Sequence, residues 1–365
     1  MRSRRTLARP RKKSKVTIET VANRVGVSLM TVSRVLNNDG RVSDDTRQLV
    51  KQAMEDLQYR PHAYARRLAG GSSHTIGVLL CDHGRTVNGL YVYLLQGMQQ
   101  ALAAQGYDLM FFSPQVTDRS LQVIVKSPLI EGLVVMGAWL TPAQLLILRE
   151  GDLPFVVVGR RETAGYVAPF VSPNYVQAFD AMVSRAIQAS CRNIVVIMQG
   201  DQGESESTAH AMFRERLRGI EWARERYKAT EPKVTILQSQ TFERGYHDAA
   251  SWDRLPEALI LDSSDFSFGI AMGLRDREAM IPDDVRLYGF GYQPEVMERI
   301  ALVLDCSIPV WTIPWERIAQ LTVTRLLSAI TSDEVLKVDE YVDVQESMIC
   351  PPSRRAGRQK ERMKS

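Results

Sequence analysis

"VANRVGVSLMTVSRVLNN", residues 21–38, holds two short runs with apolar residues at three-to-four spacing, pivoting about Gly26-Val27-Ser28. Thr17 precedes "IETVANRV" (18–25), and Glu19, read as the third helical position, completes a capping interaction that starts a first helix. Gly26 can adopt the left-handed conformation and end it, and Ser28 can then cap a second helix reaching about Asn37. Ala22, Gly26 and Val32 are small or compact where the helices must approach, while Val21, Val25, Val35 and Leu36 supply apolar faces. That leaves Leu29, Met30, Ser33, Arg34 and Asn37 facing outward. Ser43, with Asp44 and Asp45 in the first turn, caps a third helix to about Leu57. Two apolar residues at the start of an exposed helix either pack against a neighbouring helix or meet a partner.

Charge divides unevenly along the 365 residues. Residues 1–70 hold sixteen Lys/Arg against six Asp/Glu, a net of +10, which leaves thirty against thirty-six, a net of −6, for residues 71–365. A basic end of this kind suits a polyanion. The stretch Arg2 to Lys15, eight cations without an acid, reads equally well as a solubilising tail. The length suggests two or three compact units, and no run approaches the roughly 18 apolar residues of a membrane helix. Four cysteines without a C-x-x-C and five scattered histidines point to reduced thiols in a cytoplasmic protein, with no metal or cofactor expected.

A three-helix unit can serve packing or dimerisation alone. Here a basic arm precedes it, and Tyr59-Arg60-Pro61 and "HAYARRLAGG" (62–71) follow. A helix of about 12 Å diameter fits the DNA major groove, where Arg34 can meet guanine acceptors and Leu29 or Met30 a thymine methyl.

Residues 16–71 resemble the DNA-binding headpiece of the LacI/GalR repressor family, through T-V-S-R-V-L-N, V-S-x-x-T-R and Y-x-P. The resemblance implies base reading by Leu29, Met30 and Arg34, and phosphate contacts by Thr17, Thr31, Ser33, Asn37 and Tyr59. It implies a hinge helix around Ala65, Arg66 and Leu68, with Leu68 wedged into the minor groove, and a backbone contact at His62, where many members have Asn.

From Thr75 apolar runs alternate with amphipathic ones: "TIGVLLC", "YDLMFFS", "GLVVMGA" and "PFVVVGR", then, after "GYVAPFVSPNY", "NIVVIM", "KVTILQS", "EALILDS" and "VRLYGF". This is the pattern of a parallel α/β sheet built twice, with a ligand cleft beyond the strands' carboxyl ends. No G-x-G-x-x-G follows a strand, and neither G-x-x-x-x-G-K-[ST] nor G-x-S-x-G occurs, so an enzyme is not expected. The cluster "LDSSDFS" reads as strand-end polar residues and a helix cap.

The region is also similar to the family's periplasmic-binding-protein-like effector domain, through "HTIGVLL", "FRERLRGIEWA" and "IPDDVRLYGFG". The resemblance implies effector contacts from Arg216 (of R-x-x-G), Arg160, Asp82 and Ser264. Arg216 can alternatively form a helix-surface ion pair with Glu204 or Glu215. Where members usually carry carboxylate or amide anchors, this chain has Gly159, Ser263-Ser264 and Gly291. Three carboxylates are thus expected to be missing beside Arg216, which would favour an anionic ligand such as the sugar acid gluconate. Gluconate-type repressors share the Met before T-V-S-R.

The implied fold class is α/β: a helix-turn-helix headpiece and hinge helix followed by a two-subdomain periplasmic-binding-protein-like domain. The expected boundaries are a basic disordered arm (1–15), headpiece (16–61), hinge (62–73), effector and dimerisation domain (74–350, crossing near 172 and 292–314) and basic tail (351–365). The tail lacks leucine heptads, so the expected assembly is a homodimer on a near-palindromic double-stranded operator, released or tightened by a small-molecule effector, a sugar or a sugar acid. A regulator whose second domain serves only dimerisation remains the alternative.

Overall fold

The computed structural model describes residues 16–36, 40–59, 72–80, 89–112, 117–136, 140–163, 165–199, 208–239, 241–291, 294–332 and 339–351. Asn37, His62, Ala65, Arg66, Leu68, Asp82 and Glu204 lie outside these residues, as do the expected arm, hinge helix and tail. The chain divides into two compact units, residues 1–75 with 128–131 and residues 76–127 with 132–365.

In the first unit, α1 (Ile18–Val25), α2 (Leu29–Leu36) and α3 (Asp44–Asp56) enclose a core of Val21, Ala22, Val32, Val35, Val50 and Ala53. Short helices this size are marginal alone, so caps and this core must hold them. Thr17 caps α1, but the reciprocal partner is Thr20 rather than Glu19: Thr17 Oγ1 accepts from Thr20 N at 3.3 Å, and Thr20 Oγ1 accepts from Thr17 N at 3.1 Å. Counting helical positions from Ile18 puts Glu19 second, where it faces the helix dipole instead. Gly26 adopts φ +75°, and its N–H and that of Val27 both donate to Ala22 O, at 2.9 and 3.1 Å. Ser28 Oγ accepts from Thr31 N at 3.1 Å and Ser43 Oγ from Thr46 N at 3.4 Å, which starts α2 and α3.

The second unit contains β1 (Thr75–Leu80), α4 (Gly89–Ala104), β2 (Asp108–Phe112), α5 (Asp118–Val125), β3 (Gly132–Met136), α6 (Pro142–Glu150), β4 (Phe155–Val158), β5 (Glu162–Thr163), β6 (Tyr166–Val167), β7 (Phe170–Pro173) and α7 (Tyr175–Gln188). It continues through β8 (Asn193–Gln199), α8 (Thr208–Arg226), β9 (Lys233–Ser239), α9 (Phe242–Ser251), β10 (Ala258–Asp262), α10 (Asp265–Asp276), β11 (Arg286–Gly291), α11 (Pro294–Val303), β12 (Ile308–Thr312), α12 (Trp315–Ser332), β13 (Asp339–Val342) and β14 (Gln345–Ile349). One six-stranded sheet runs β13-β7-β4-β3-β1-β2, the other β14-β12-β11-β10-β8-β9, so the unit has two halves. In the first sheet β1 with β3, β3 with β4, β4 with β7 and β7 with β13 pair parallel. In the second, β8 pairs parallel with β9 and β10, and β11 with β10 and β12, while β14 joins β12 antiparallel. Strands buried on both faces explain the unbroken apolar runs such as Leu133-Val134-Val135-Met136.

The chain passes between the halves at 173–175, 312–315 and 342–345. The last passage is not among the sequence expectations. The passage at 312–315 returns α12 to the first half, where it packs on α4, β3, β4 and β7, and β13 to that sheet's edge beside β7; the last passage then carries the chain back to β14 of the second sheet. Asn174 braces two of the passages: its N–H donates to Val342 O and its Nδ2 to Asp343 Oδ1, both at 2.9 Å, while its Oδ1 caps α7.

Because an L-residue in the left-handed region costs about 1–2 kcal/mol, Gly26→Ala should lower the first unit's stability by that amount and leave the second unit's unchanged. Calorimetric melting of the full chain, with separate transitions assigned by fragment, checks this.

Candidate DNA-recognition face and ligand cleft

On α2, Val32 is 0% and Val35 6% exposed and both face the core, which turns Leu29 (45%) and Met30 (62%) outward. Ser33 and Arg34 are half-buried and follow Leu29 and Met30 one helical turn later, so the four form a single patch. Packing against a neighbouring helix is therefore not the role of Met30. Thr17 and Thr31 have their hydroxyls in cap contacts, Thr31 Oγ1 lying 2.9 Å from Ser28 Oγ. Tyr59 packs its ring against the helical core, and its N–H donates to Met54 O at 2.8 Å.

In the second unit, Arg216 is 3% exposed. Its guanidinium lies over three aromatic rings, 5.1 Å from the centroid of Tyr175, 5.7 Å from Phe290 and 5.8 Å from Phe179. The glycine of R-x-x-G makes this possible. A Cβ at Gly219 would meet Val176 O at 2.4 Å and Asp180 N at 3.0 Å, so only glycine lets α8 close on α7, which carries Tyr175 and Phe179. Burial pulls the Arg216 pKa down from its ordinary value, with Tyr175, Asp262 and Glu215 acting in the opposite direction. Burial also pushes the Tyr175 phenol up to about 12. Arg216 is thus not a surface residue; Glu215 is its electrostatic neighbour and is itself only 5% exposed.

The expected loss of carboxylates around Arg216 is corrected by Glu215 and by Asp262, which is 2% exposed. Asp262 ends β10 and accepts from Ser264 Oγ and, at 2.8 Å, from Ser267 Oγ. Ser264 also caps α10, accepting from Ser267 N at 3.2 Å, so its hydroxyl is engaged within the protein. In the sequence Asp262 looks like one more strand-end residue, and no local signal marks it.

Of the two neighbouring arginines, the one expected from the sequence is not the buried one. Arg160 pairs with Glu162 at 2.6 Å and donates to Tyr341 Oη at 3.4 Å, with its side chain 28% exposed. Arg161 is the buried one, 1% exposed, donating Nη1 to Arg160 O at 2.7 Å. It lies near enough to act electrostatically on Tyr175 and Glu215. Gly159, at φ +87°, makes room for it: a Cβ there would stand 3.2 Å from Arg161 Nη1. That glycine, in place of a larger residue, was the available signal.

Phe290 and Gly291, successive on β11, face opposite ways. Phe290 closes the arginine cage, whereas Gly291 lines a cavity of about 660 Å³ with Tyr93, Gln96, Gln100, Thr312, Trp315 and Gln320 among its walls. Among the described residues no group of three His, Cys, Asp or Glu stands where it could hold a metal.

The family model "Bacterial regulatory proteins, lacI family" matches residues 17–62. Over 239 residues the chain is 30% identical to the HTH-type transcriptional regulator MalR of Streptococcus pneumoniae, covering 63% of this chain and 70% of that one. The chain belongs to the lacI family. It is 28% identical over 288 residues to catabolite control protein A of Priestia megaterium, covering 75% of this chain and 82% of that protein. The fold of the lac repressor dimer bound to operator and the anti-inducer ONPF matches with a TM-score of 0.72 at 18% identity, over 92% of this chain and 98% of that one. Like its lacI-family relatives, the protein is a DNA-binding transcriptional regulator and not an enzyme. Among the described residues no helix is long and apolar enough to cross a membrane.

Burial raises the Glu215 pKa above the ordinary carboxylate range, against the pull of the Tyr341 hydroxyl and of Arg160. The folded state then holds this proton more tightly than the unfolded chain. Its contribution is complete below the unfolded Glu value of about 4.3 and is lost as pH rises through the raised value. Urea melts of wild type and Glu215→Gln across that window should show the decline in the wild type and a flatter profile in the variant.

Proposed function

We propose that this regulator represses transcription as a cytoplasmic homodimer on a near-palindromic operator, under the control of a sugar bound in the second unit. The observation that carries the DNA part is the patch Leu29, Met30, Ser33 and Arg34, held outward by the burial of Val32 and Val35 on the same eight-residue helix. A helix so placed enters the major groove by its N-terminal residues, and one such helix covers half a two-fold site. The expected hinge residues His62, Ala65, Arg66 and Leu68, and the expected phosphate contact Asn37, lie outside the described residues and add nothing to this observation. Val92 on α4, 57% exposed, and Phe111 on β2, 53% exposed, supply apolar surface for the dimer contact.

For the effector, charge balance is the guide. Arg216, enclosed by its rings with Glu215 and Asp262 beside it, does not line the cavity, whose charged walls are one acid and one base, Glu316 and Arg317; a neutral sugar fits that lining. The cavity pairs Tyr93 and Trp315, which can cover the apolar face of a sugar ring, with the carboxamides of Gln96, Gln100 and Gln320 for hydroxyls. Related folds carry such ligands, a cellobiose complex of CelR and a ribose complex from Enterococcus faecium among them. The internal engagement of Arg216, Arg160 and Ser264 favours a second reading, in which the unit serves dimerisation without an effector.

In vitro selection of an operator, followed by binding titrations with neutral sugars and with sugar acids, separates these readings. A shift in operator affinity with a neutral sugar supports the first, a shift with gluconate alone restores the anionic ligand, and none with either supports the second. On the selected operator, Arg34→Ala should lose roughly 1–3 kcal/mol of discrimination at one guanine. Met30→Ala should weaken preference at a neighbouring thymine without changing the salt dependence, which reports phosphate contacts.

A further inference from the structure

A chain of polar contacts joins the helix carrying Arg216 to the other half of the second unit. Tyr341, on edge strand β13, donates its hydroxyl to Glu215 Oε1 at 2.8 Å. Arg160 Nη1 donates to the same tyrosine oxygen at 3.4 Å, Arg160 pairs with Glu162 at 2.6 Å, and Glu162 stands 3.6 Å from Arg214. Arg160, Glu162 and Tyr341 belong to the first half, whereas Arg214 and Glu215 belong to α8 of the second. Glu215 and Arg216 are adjacent on α8 but are held by different halves: Arg216 by the rings of α7 and β11, Glu215 by β13.

These contacts differ in weight. Arg214 and Glu162 have side chains 51% and 38% exposed, so water and salt compete with their attraction. Tyr93 and Glu295, which join α4 to α11, are likewise exposed. The Tyr341 bond, although the tyrosine is 39% exposed, ends on a carboxylate that is 5% exposed, where a charge-assisted hydrogen bond is stronger than at the surface. Phe170 fixes the tyrosine ring edge-on, with centroids 5.1 Å apart.

The geometry points to Tyr341 as a positioning residue that latches the two halves of the regulatory unit through Glu215, so that Arg216 is held in register with the first half. Any rotation about the passages between the halves changes the oxygen separation directly. A hydrogen bond weakens steeply beyond about 3.5 Å, which makes the contact close to two-state. The inference rests on the reading of this unit as the regulator of DNA binding.

The test uses the full chain with Cys81 and Cys350 replaced by Ser and spin labels on Val123→Cys and Met280→Cys, exposed positions in opposite halves. Distances are measured without DNA, diluted in unlabelled protein, and operator affinity is measured separately on unlabelled protein. Tyr341→Phe should broaden or shift the distance and change operator affinity by at least about fivefold in one direction. Glu215→Gln keeps an acceptor for the tyrosine hydroxyl but loses the charge that strengthens the bond, and should move both readouts in the same direction as Tyr341→Phe and by less. The latch is overturned if Tyr341→Phe matches wild type in both readouts, or if Glu215→Gln moves either one in the opposite direction. Should wild type bind no selected operator, the DNA reading fails, while the distance comparison still decides the latch.

Discussion

A positive charge removed from water is the constraint on which the second unit is arranged. Arg216 is fully ionised at neutral pH and cannot lie bare among apolar side chains without a cost of several kcal/mol. Three aromatic faces and two carboxylates meet that requirement, and they come from α7, α8, β10 and β11. Gly219 permits the approach, because any side chain there would strike the backbone of α7. Each ring contact contributes about 0.5–2 kcal/mol, so the cage together outweighs any single member. Arg161, 1% exposed and close enough to act on Tyr175 and Glu215, adds a second enclosed cation to this arrangement.

The first unit is built on a different principle. Its three helices rest on local contacts, hydroxyl caps at Thr17, Ser28 and Ser43 and a reversal at Gly26, around a six-residue core. Such a unit is rigid over the few residues that matter for reading bases and tolerates variation of its outward face. The second unit depends on contacts between residues more than a hundred positions apart, such as Glu215 with Tyr341. Long-range contacts of this kind have alternative arrangements with similar energies, which a regulatory element requires.

This contrast also decides what was legible in the sequence. Caps act within three or four residues, so Ser28, Ser43 and Gly26 could be read directly, and the error at Glu19 is a miscount of one position within the same turn. The parallel halves were legible because strands buried on both faces leave continuous apolar runs. β12, β13 and β14 were not delimited: "DEYV" at a sheet edge carries two acids and "IPVWT" contains a proline, so neither looks like a strand. In the candidate cleft, the R-x-x-G spacing indicated Arg216, but burial is a property of the whole fold. Only Gly159 hints that Arg161 is enclosed while Arg160 reaches the surface, and nothing local marks Asp262 as the acceptor for two serines.

The three passages between the halves also bear on how the chain assembles as it leaves the ribosome. Helix α12 covers the first sheet, where Leu326 and Ile330 lie about 3 Å from the position of a Cβ on Gly132, and β13 completes that sheet's edge. Both come from residues 315–342, made after the entire second sheet except β14. The first half therefore waits, with an uncovered apolar face and an open strand edge, for about 170 residues of synthesis beyond β7. At 5–20 residues per second this is an interval on the order of ten seconds or more. During it the three-helix unit can already be folded, so the chain's affinity for DNA can precede its means of regulating it.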